Sequence, residues 1–467
     1  MNHTITRRNL ARLLGGAAAT GLLPFSAKGA WKPTDRKKVN MIIRSQRPFD
    51  CEMPLDGFLT DFTPVERFFT RSHHYEPKVD LSTWRLEVTG SVQRPQKLTL
   101  EAIQKLPKVE MPAVLECAGN GRGFYEPSMP GIQWEHGAVA NAKWAGVRMV
   151  DVLKLAGADE KAMEVVLDGA DVPVGTMPEF QRSIPLFKAM DPETILAYEM
   201  NDEPLPSLHG FPLRLIVPGW AGDCWVKWLT RIDVSRAPFE GFFMKTAYRH
   251  PGKAVKPGSA VDPAAMNPVT ELSPKSVIAT PVDGTEVELG KALFIKGVAW
   301  SGSRVSGVEL SLDGGLSWIK PQPGSYPGPW SWRSWQYTHM TQTEGYLRIM
   351  VRATDSSGAT QPFVPSWNPS GYLWNVVHAI GVNVVKEVKL ATSPAAVSSS
   401  APSNAPAVYK TNCIGCHEDD VIKQQRLSRG QWEKEVEKMG RWGSKYKPSD
   451  KDALVDYLAK EFPYKKR

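Results

Sequence analysis

Apolar and polar positions change period along this 467-residue chain, and each period marks a region. Short β-like runs at 84–89, 165–167 and 213–217 alternate with loops and with a few helical stretches such as 149–156. That mixture predicts an α+β region over 31–273. Residues 251–273, rich in Pro, Ala and Gly, read as its connecting arm. From 274 the runs become regular, at 292–300, 307–312, 318–320 and 346–354, with an Asp313-Gly314-Gly315 turn between two of them. Short strands at such spacing predict an immunoglobulin-like β-sandwich over 274–390. Residues 391–407 are low-complexity Ala, Ser and Pro and predict a flexible linker. Beyond it Trp432, Val436 and Met439 recur at helical spacing, as do Leu454, Leu458 and Phe462. They predict a small all-α module over 408–467, with Gly440 and Gly443 closing its first long helix. The length, enough for about two to four domains, agrees with this division.

The first thirty residues stand apart. Arg7-Arg8 precede an apolar segment at 13–23 and small residues at 27–30, the pattern of an export signal. The arginine pair fits the twin-arginine type, which carries folded, cofactor-loaded proteins, and predicts a periplasmic protein. An ordinary secretory signal that happens to hold two arginines is the alternative. Removing its four cations from the formal charge of +8 leaves +4. So small an excess gives little support to a nucleic-acid partner and suits a small anionic substrate. No stretch after the signal predicts a membrane span.

Five cysteines, Cys51, Cys117, Cys224, Cys413 and Cys416, do not make a disulfide framework. Cys413-Ile414-Gly415-Cys416-His417 is the c-type haem attachment pattern: two thioethers one turn apart, with His417 beneath the iron. A redox pair or half a zinc site are the competing readings, and zinc would need ligands that the module lacks. Met439 is the candidate distal ligand, with simple core packing as its other reading. Cys117 ends the run Leu115-Glu116 and opens the turn Ala118-Gly119-Asn120-Gly121, with Arg122 beside it. A thiol lifted from a strand end next to a cation is a candidate metal thiolate, although alone it reads equally as a small buried hydrophobe. Cys51 and Cys224 suggest no role.

Several blocks then recur in one order: Phe68-Phe69-Thr70-Arg71-Ser72-His73, the Cys117 loop, Gly131-Ile132-Gln133-Trp134, and Leu167-Asp168-Gly169-Ala170-Asp171. Leu205 to Arg214, Val226-Lys227-Trp228-Leu229 and Thr246-Ala247-Tyr248-Arg249 follow. The series resembles the sulfite oxidase family of molybdenum enzymes over residues 60–380. The resemblance implies a sulfite-oxidase-type molybdopterin domain and a dimer-forming sandwich, and the haem attachment pattern predicts a small cytochrome c domain fused behind them. It implies that Cys117 binds molybdenum and that His73, Asp171, His209, Arg214 and Lys227 hold the pyranopterin and its phosphate. Arg71, Arg122, Trp134 and Tyr248 would wall the substrate pocket, where arginine forks suit a doubly charged oxyanion. The expected activity is sulfite dehydrogenation, with electrons leaving by the haem for an external cytochrome c or terminal oxidase. One departure stands out. Trp367-Asn368-Pro369-Ser370-Gly371-Tyr372 has Ser370 where animal relatives carry an arginine, so the pocket either has one cation fewer on that side or borrows one elsewhere, with Arg249 the candidate. Sulfane dehydrogenation and an electron carrier with a vestigial metal site are the alternatives.

Overall fold

The computed structural model describes residues 31–388, 407–414 and 417–464. The export signal expected over 1–30, all but the last residue of the linker expected over 391–407, and Cys416 lie outside the described residues. The first region is built on two five-stranded sheets. One runs Glu203–Pro204, Ile195–Met200, Val139–Arg148, Lys108–Glu116, entirely antiparallel, with Arg214–Ile216 also paired to Ile195–Met200. The other runs Gln96–Leu98, Leu86–Gly90, Leu229–Ser235, Glu164–Gly169, Gln181–Pro185, with a single parallel pair between Leu86–Gly90 and Leu229–Ser235. The helix expected at 149–156 forms as Met149–Ala156, closed by Gly157 in the left-handed region at φ 64°. Strand predominates over helix here, because nearly every apolar run of this region finds a ladder partner.

The arm at 251–273 is more structured than its composition suggests. Arg249–Pro251 and Met266–Pro268 pair antiparallel, and the arm between them is tied by the Arg249 guanidinium. The sandwich follows as two four-stranded sheets. Lys275–Thr280, Ala292–Trp300, Arg333–Met340 and Gln322–Pro323 make one, and Thr285–Glu288, His378–Val385, Gly345–Asp355 and Val305–Ser311 the other. Ile278, Ile295, Leu310, Trp335, Ile349 and Val382 meet between them, as alternation demands. The strand expected at 318–320 shrinks to one bridge between Leu310 and Ile319. The reason is local. The Asp313 carboxylate accepts from the Leu316 and Ser317 amides at 3.0 and 2.9 Å and so replaces ladder bonds with side-chain bonds.

The C-terminal module has helices Ala407–Asn412, Asp420–Lys423, Arg429–Arg441 and Lys451–Glu461 around Leu427, Trp432, Val436, Leu454, Leu458 and Phe462. Ser428 and Gln431 form a capping box at the start of the long helix. From Pro33 onward the described residues form one packed unit, so the module is seated on the first region. Its contacts are mostly uncharged. Gln424 donates to the Arg44 carbonyl at 2.7 Å and accepts from the Gln133 amide at 2.8 Å. Gln431 donates to the Ser128 carbonyl at 2.9 Å, and Trp442 meets Phe242 edge-on at 5.9 Å between centroids. No helix among the described residues is long and apolar enough to cross a membrane.

Candidate functional site

Lys108–Glu116 delivers Cys117 at the edge of its sheet, where the Cys117 amide still donates to Ala138 at 2.9 Å. The chain then turns, with Asn120 N donating to Cys117 O and Arg122 N to Gly119 O, both at 2.9 Å. Gly121 sits at φ 87°, and a Cβ there would come within 2.5 Å of Trp374. Only glycine fits both demands. Cys117 is 9 % exposed. Burial pushes its thiol up, and Arg71 and Arg122 only partly counter that. The sequence suggested a ready thiolate. In the folded protein alone the thiol keeps its proton until an electrophile such as a metal displaces it.

Two cavities meet at Cys117. The smaller, about 80 Å³, is lined by Ser72, Asp171, His209, Arg214 and Lys227. The larger, about 480 Å³, is lined by Arg122, Trp134, Ser370 and Tyr372. Arg71, His73 and Tyr248 border both. The far wall of the larger cavity is the C-terminal module, through Cys413, His417, Trp432, Val436 and Met439. The two sets of candidate residues, read from distant parts of the chain, therefore face one continuous space.

Arg214 is 2 % exposed and has no anionic partner among the described residues. Its donors reach only the His209 and Trp225 carbonyls, at 2.9 and 3.3 Å, and its Nε has no partner. Burial alone lowers it to about 9. Lys227, bonded to Ser72 Oγ at 2.7 Å and Leu208 O at 3.1 Å, is lowered to about 7, first by burial and then by Arg214, with Asp171 opposing. Buried cations this poorly matched suit an anion such as a phosphate. His209 accepts from Lys38 at 2.9 Å and is held neutral, far below its usual range, by burial and Lys38. Burial raises Asp171 to about 6. The set fits a pterin with an anionic tail. Among the described residues no cluster of three His, Cys, Asp or Glu could hold a metal, so a metal here would rest on the Cys117 sulfur and ligands brought by its cofactor.

Lys227 gives this site a pH dependence. In the free site it holds a proton only below about 7, and a bound anion raises that value. Between the two values, binding takes up one proton, so affinity for the phosphate-bearing cofactor should fall by up to about tenfold per pH unit as pH rises above 7. Titration of cofactor release between pH 7 and 9 checks this, and a flat profile would contradict it.

On the larger side, Arg71 bonds Asp50 at 3.1 Å and donates to His73 Nδ1 at 2.8 Å, and His73 Nε2 lies 2.7 Å from the Tyr248 hydroxyl. Burial, then Arg71, hold His73 well below its usual pKa, so it is neutral. Arginine can only donate, so Nδ1 accepts and Nε2 carries the hydrogen. His73 thus donates to the Tyr248 oxygen and leaves the tyrosine O–H free to point into the cavity. Tyr248 itself sits at φ 55°, unusual for a bulky residue, and stacks on Tyr372 at 5.2 Å. Arg122 is fixed by the Ser370 and Ile132 carbonyls at 3.1 and 3.2 Å. Trp134 is fully buried, with its Nε1 unpartnered.

Arg249 does not replace the missing cation beside Ser370. Its guanidinium is turned into the arm, on the Pro263, Met244 and Met266 carbonyls, at 2.9 and 2.8 Å for the first two. Sequence reasoning missed Asp50 and Tyr372. Asp50 is raised to about 6 by burial against the pull of Arg71, and also holds the Ser72 amide at 2.7 Å. Tyr372 lay inside the quoted 367–372 run, and its aromatic ring beside Ser370 was the available cue. In the module, His417 Nδ1 donates to the Glu418 carbonyl at 2.9 Å, which leaves Nε2 as the free nitrogen, the arrangement of an axial ligand. Cys413 is half-buried and Met439 lines the same space. These residues fit a covalent haem.

Comparisons with known proteins agree with this geometry. Residues 73–243 match the family described as oxidoreductase molybdopterin binding domain, and 266–385 the Mo-co oxidoreductase dimerisation domain. Mitochondrial sulfite oxidase of Rattus norvegicus is 39% identical over 380 residues, covering 78% of this chain and 69% of that protein. The Homo sapiens enzyme is 38% identical, covering 73% and 65%. Nitrate reductase [NADH] 1 of Oryza sativa subsp. japonica is 34% identical, covering 74% of this chain and 41% of its own. The chain thus spans about two thirds of the sulfite oxidases it matches. The crystal structure of the sulfane dehydrogenase SoxCD from Paracoccus pantotrophus superposes with a TM-score of 0.62 at 24% identity, over 80% of this chain and 96% of that one, a likeness of fold. Neither family match reaches residues 386–467.

Proposed function

The chain belongs to the sulfite oxidase family of molybdenum oxidoreductases, and from that premise we propose that it is a periplasmic sulfite dehydrogenase carrying its own c-type haem. The observation that carries this reading is the single 480 Å³ cavity with Cys117 on one wall and Cys413, His417 and Met439 on the other. The twin-arginine pattern supports export with cofactors already in place.

Cys117 would bind the molybdenum through sulfur, and His209, Arg214, Lys227 and Asp171 would hold the pterin and its phosphate. When bound, the molybdenum centre supplies the oxygen that sulfite gains and accepts its two electrons. The chain's own residues do the rest. Arg71 and Arg122 bind and orient the sulfite dianion. Tyr248, kept in one donor state by His73, hydrogen-bonds the sulfite and then the sulfate oxygen. Trp134 and Tyr372 exclude bulk water, which strengthens both arginine contacts. Cys413, Cys416, His417 and Met439 would hold the haem, whose chemistry is one-electron relay to an external cytochrome c or terminal oxidase. Sulfite gives up two electrons, so such a one-electron relay would operate twice per sulfite. A docked module in a shared cavity makes the long swing of a tethered carrier unnecessary. The dimerisation-domain match supports a homodimer formed through the sandwich.

Met439→Ala should alter the haem spectrum and slow reduction of an added cytochrome, while sulfite still reduces the metal. An unchanged haem spectrum would remove Met439 from the ligand set. Purified protein showing sulfite-dependent reduction of cytochrome c tests the function itself. A second reading, sulfane dehydrogenation, is favoured by one observation: position 370 brings no cation and Arg249 turns away, so Arg122, held on the Ser370 carbonyl, is the cation left on that wall. A carrier-bound persulfide that reduces the protein where sulfite does not would decide for it.

A further inference from the structure

We propose that the β-sandwich has a second task besides subunit pairing: through Lys275 and Trp300 it holds the Glu116 carboxylate rigid and charge-balanced directly behind Cys117, and so positions the sulfur. Lys275 begins the strand Lys275–Thr280, Trp300 ends Ala292–Trp300, and the antiparallel register sets them opposite each other. Their side chains converge on one carboxylate. Lys275 Nζ ion-pairs with Glu116 Oε1, and Trp300 Nε1 donates to Oε2 at 2.7 Å. Asn120, from the far side of the Cys117 turn, donates to Oε1 at 2.8 Å and accepts from the Ala138 amide at 3.1 Å. Glu116, Asn120, Lys275 and Trp300 are each at most 6 % exposed. Leu373 N ties down the next residue, donating to Ala118 O at 2.9 Å.

Stability alone does not account for this arrangement. A buried ion pair adds little to an interface that apolar residues would hold as well. Here the carboxylate belongs to the residue bonded to Cys117, and its cation comes from the neighbouring region. The void between the two, beside Glu116, Cys117 and Lys275, is only about 10 Å³. It holds at most one water, so bulk solvent does not reach the carboxylate. Taking away Lys275 would leave an unbalanced negative charge beside the metal-binding sulfur and loosen the turn that presents it. This rests on the reading of Cys117 as the molybdenum ligand.

The test uses full-length protein with Lys275→Met, Lys275→Arg and Trp300→Phe. In cofactor-free protein, Lys275→Met should speed amide exchange across 115–122 by about ten- to hundredfold, the loss of a charged hydrogen bond, with the oligomeric state unchanged. In the molybdenum-loaded enzyme the metal's midpoint potential should move negative, and Lys275→Arg should restore it. An ion pair that does not position the turn would leave exchange across 115–122 at the parent rate, and one whose charge is not felt at the sulfur would leave the potential where it was; either result overturns the proposal. Should Lys275→Met fail to fold, Trp300→Phe carries the same test, removing one donor while keeping the ring on Phe58. Exchange and potential that both match the parent would overturn the proposal there too. A preparation that binds no molybdenum would overturn the metal reading, while the exchange arm would still decide whether the sandwich holds the turn.

Discussion

Cys117→Ser is expected to abolish sulfite turnover while leaving the haem spectrum intact. A thiol and a hydroxyl differ little in size, so the fold should tolerate the change. They differ greatly as ligands. Thiolate is soft and forms once a metal competes for its proton, whereas a serine hydroxyl in the same buried place stays neutral. Supporting residues around metals cost about 10- to 100-fold when removed, and the ligand itself should cost more. Metal analysis should show molybdenum lost or bound without activity, with haem iron unchanged. Turnover near that of the parent would show that Cys117 is not the ligand.

Arg214→Met should have two opposite effects. In the cofactor-free protein Arg214 is a buried guanidinium without an anion, lowered by burial from its usual value to about 9. The unfolded chain therefore holds this proton more readily than the folded one between those values, so stability is penalised at every pH below about 9 and recovers as pH rises through that window. An uncompensated buried charge costs roughly 3–5 kcal/mol. Methionine keeps the stem that packs on Trp144, 4.9 Å from the guanidinium carbon to the ring centroid, and removes the charge. It also leaves the His209 and Trp225 carbonyls with one donor fewer, so the net gain should be about 1–3 kcal/mol. Cofactor affinity should fall by about a hundredfold, because a charge-assisted bond to the phosphate is lost. Thermal unfolding of the empty variant, beside its pterin content after expression, checks both halves. A variant that is less stable when empty and still fully loaded would mean that Arg214 has a purely structural part.

Much of this site could be read from residues. The Cys117 turn shows in sequence because a strand running into Gly and Asn must break there. The cations show because His209, Arg214 and Lys227 fall in blocks whose order means something together. Asp50 could not be read. It meets Arg71 only because Cys51 and Thr70 form a bridge that brings Phe49–Glu52 beside residues twenty positions on. The state of the Cys117 thiol was misjudged for a similar reason: a neighbouring cation is visible in sequence, whereas the depth of burial that outweighs it is not. Arg249 looked available as a pocket cation until the arm folded back and took up its donors. In the sandwich, strict alternation placed most strands, and the run at 318–320 failed where Asp313 side-chain bonds replaced a ladder. Nothing in the linker composition indicated that the module beyond it seats on the first region through Gln424 and Gln431, with Cys413 and His417 facing the Cys117 cavity.

The most direct test is a rapid-mixing visible spectrum of the purified protein, anaerobic and without added carrier, on addition of sulfite. The shared cavity predicts that the haem is reduced, at a rate that keeps pace with turnover and changes little with ionic strength, since the docking bonds are mostly uncharged. Protein that contains both molybdenum and haem, yet whose haem stays oxidised in sulfite, would contradict the account.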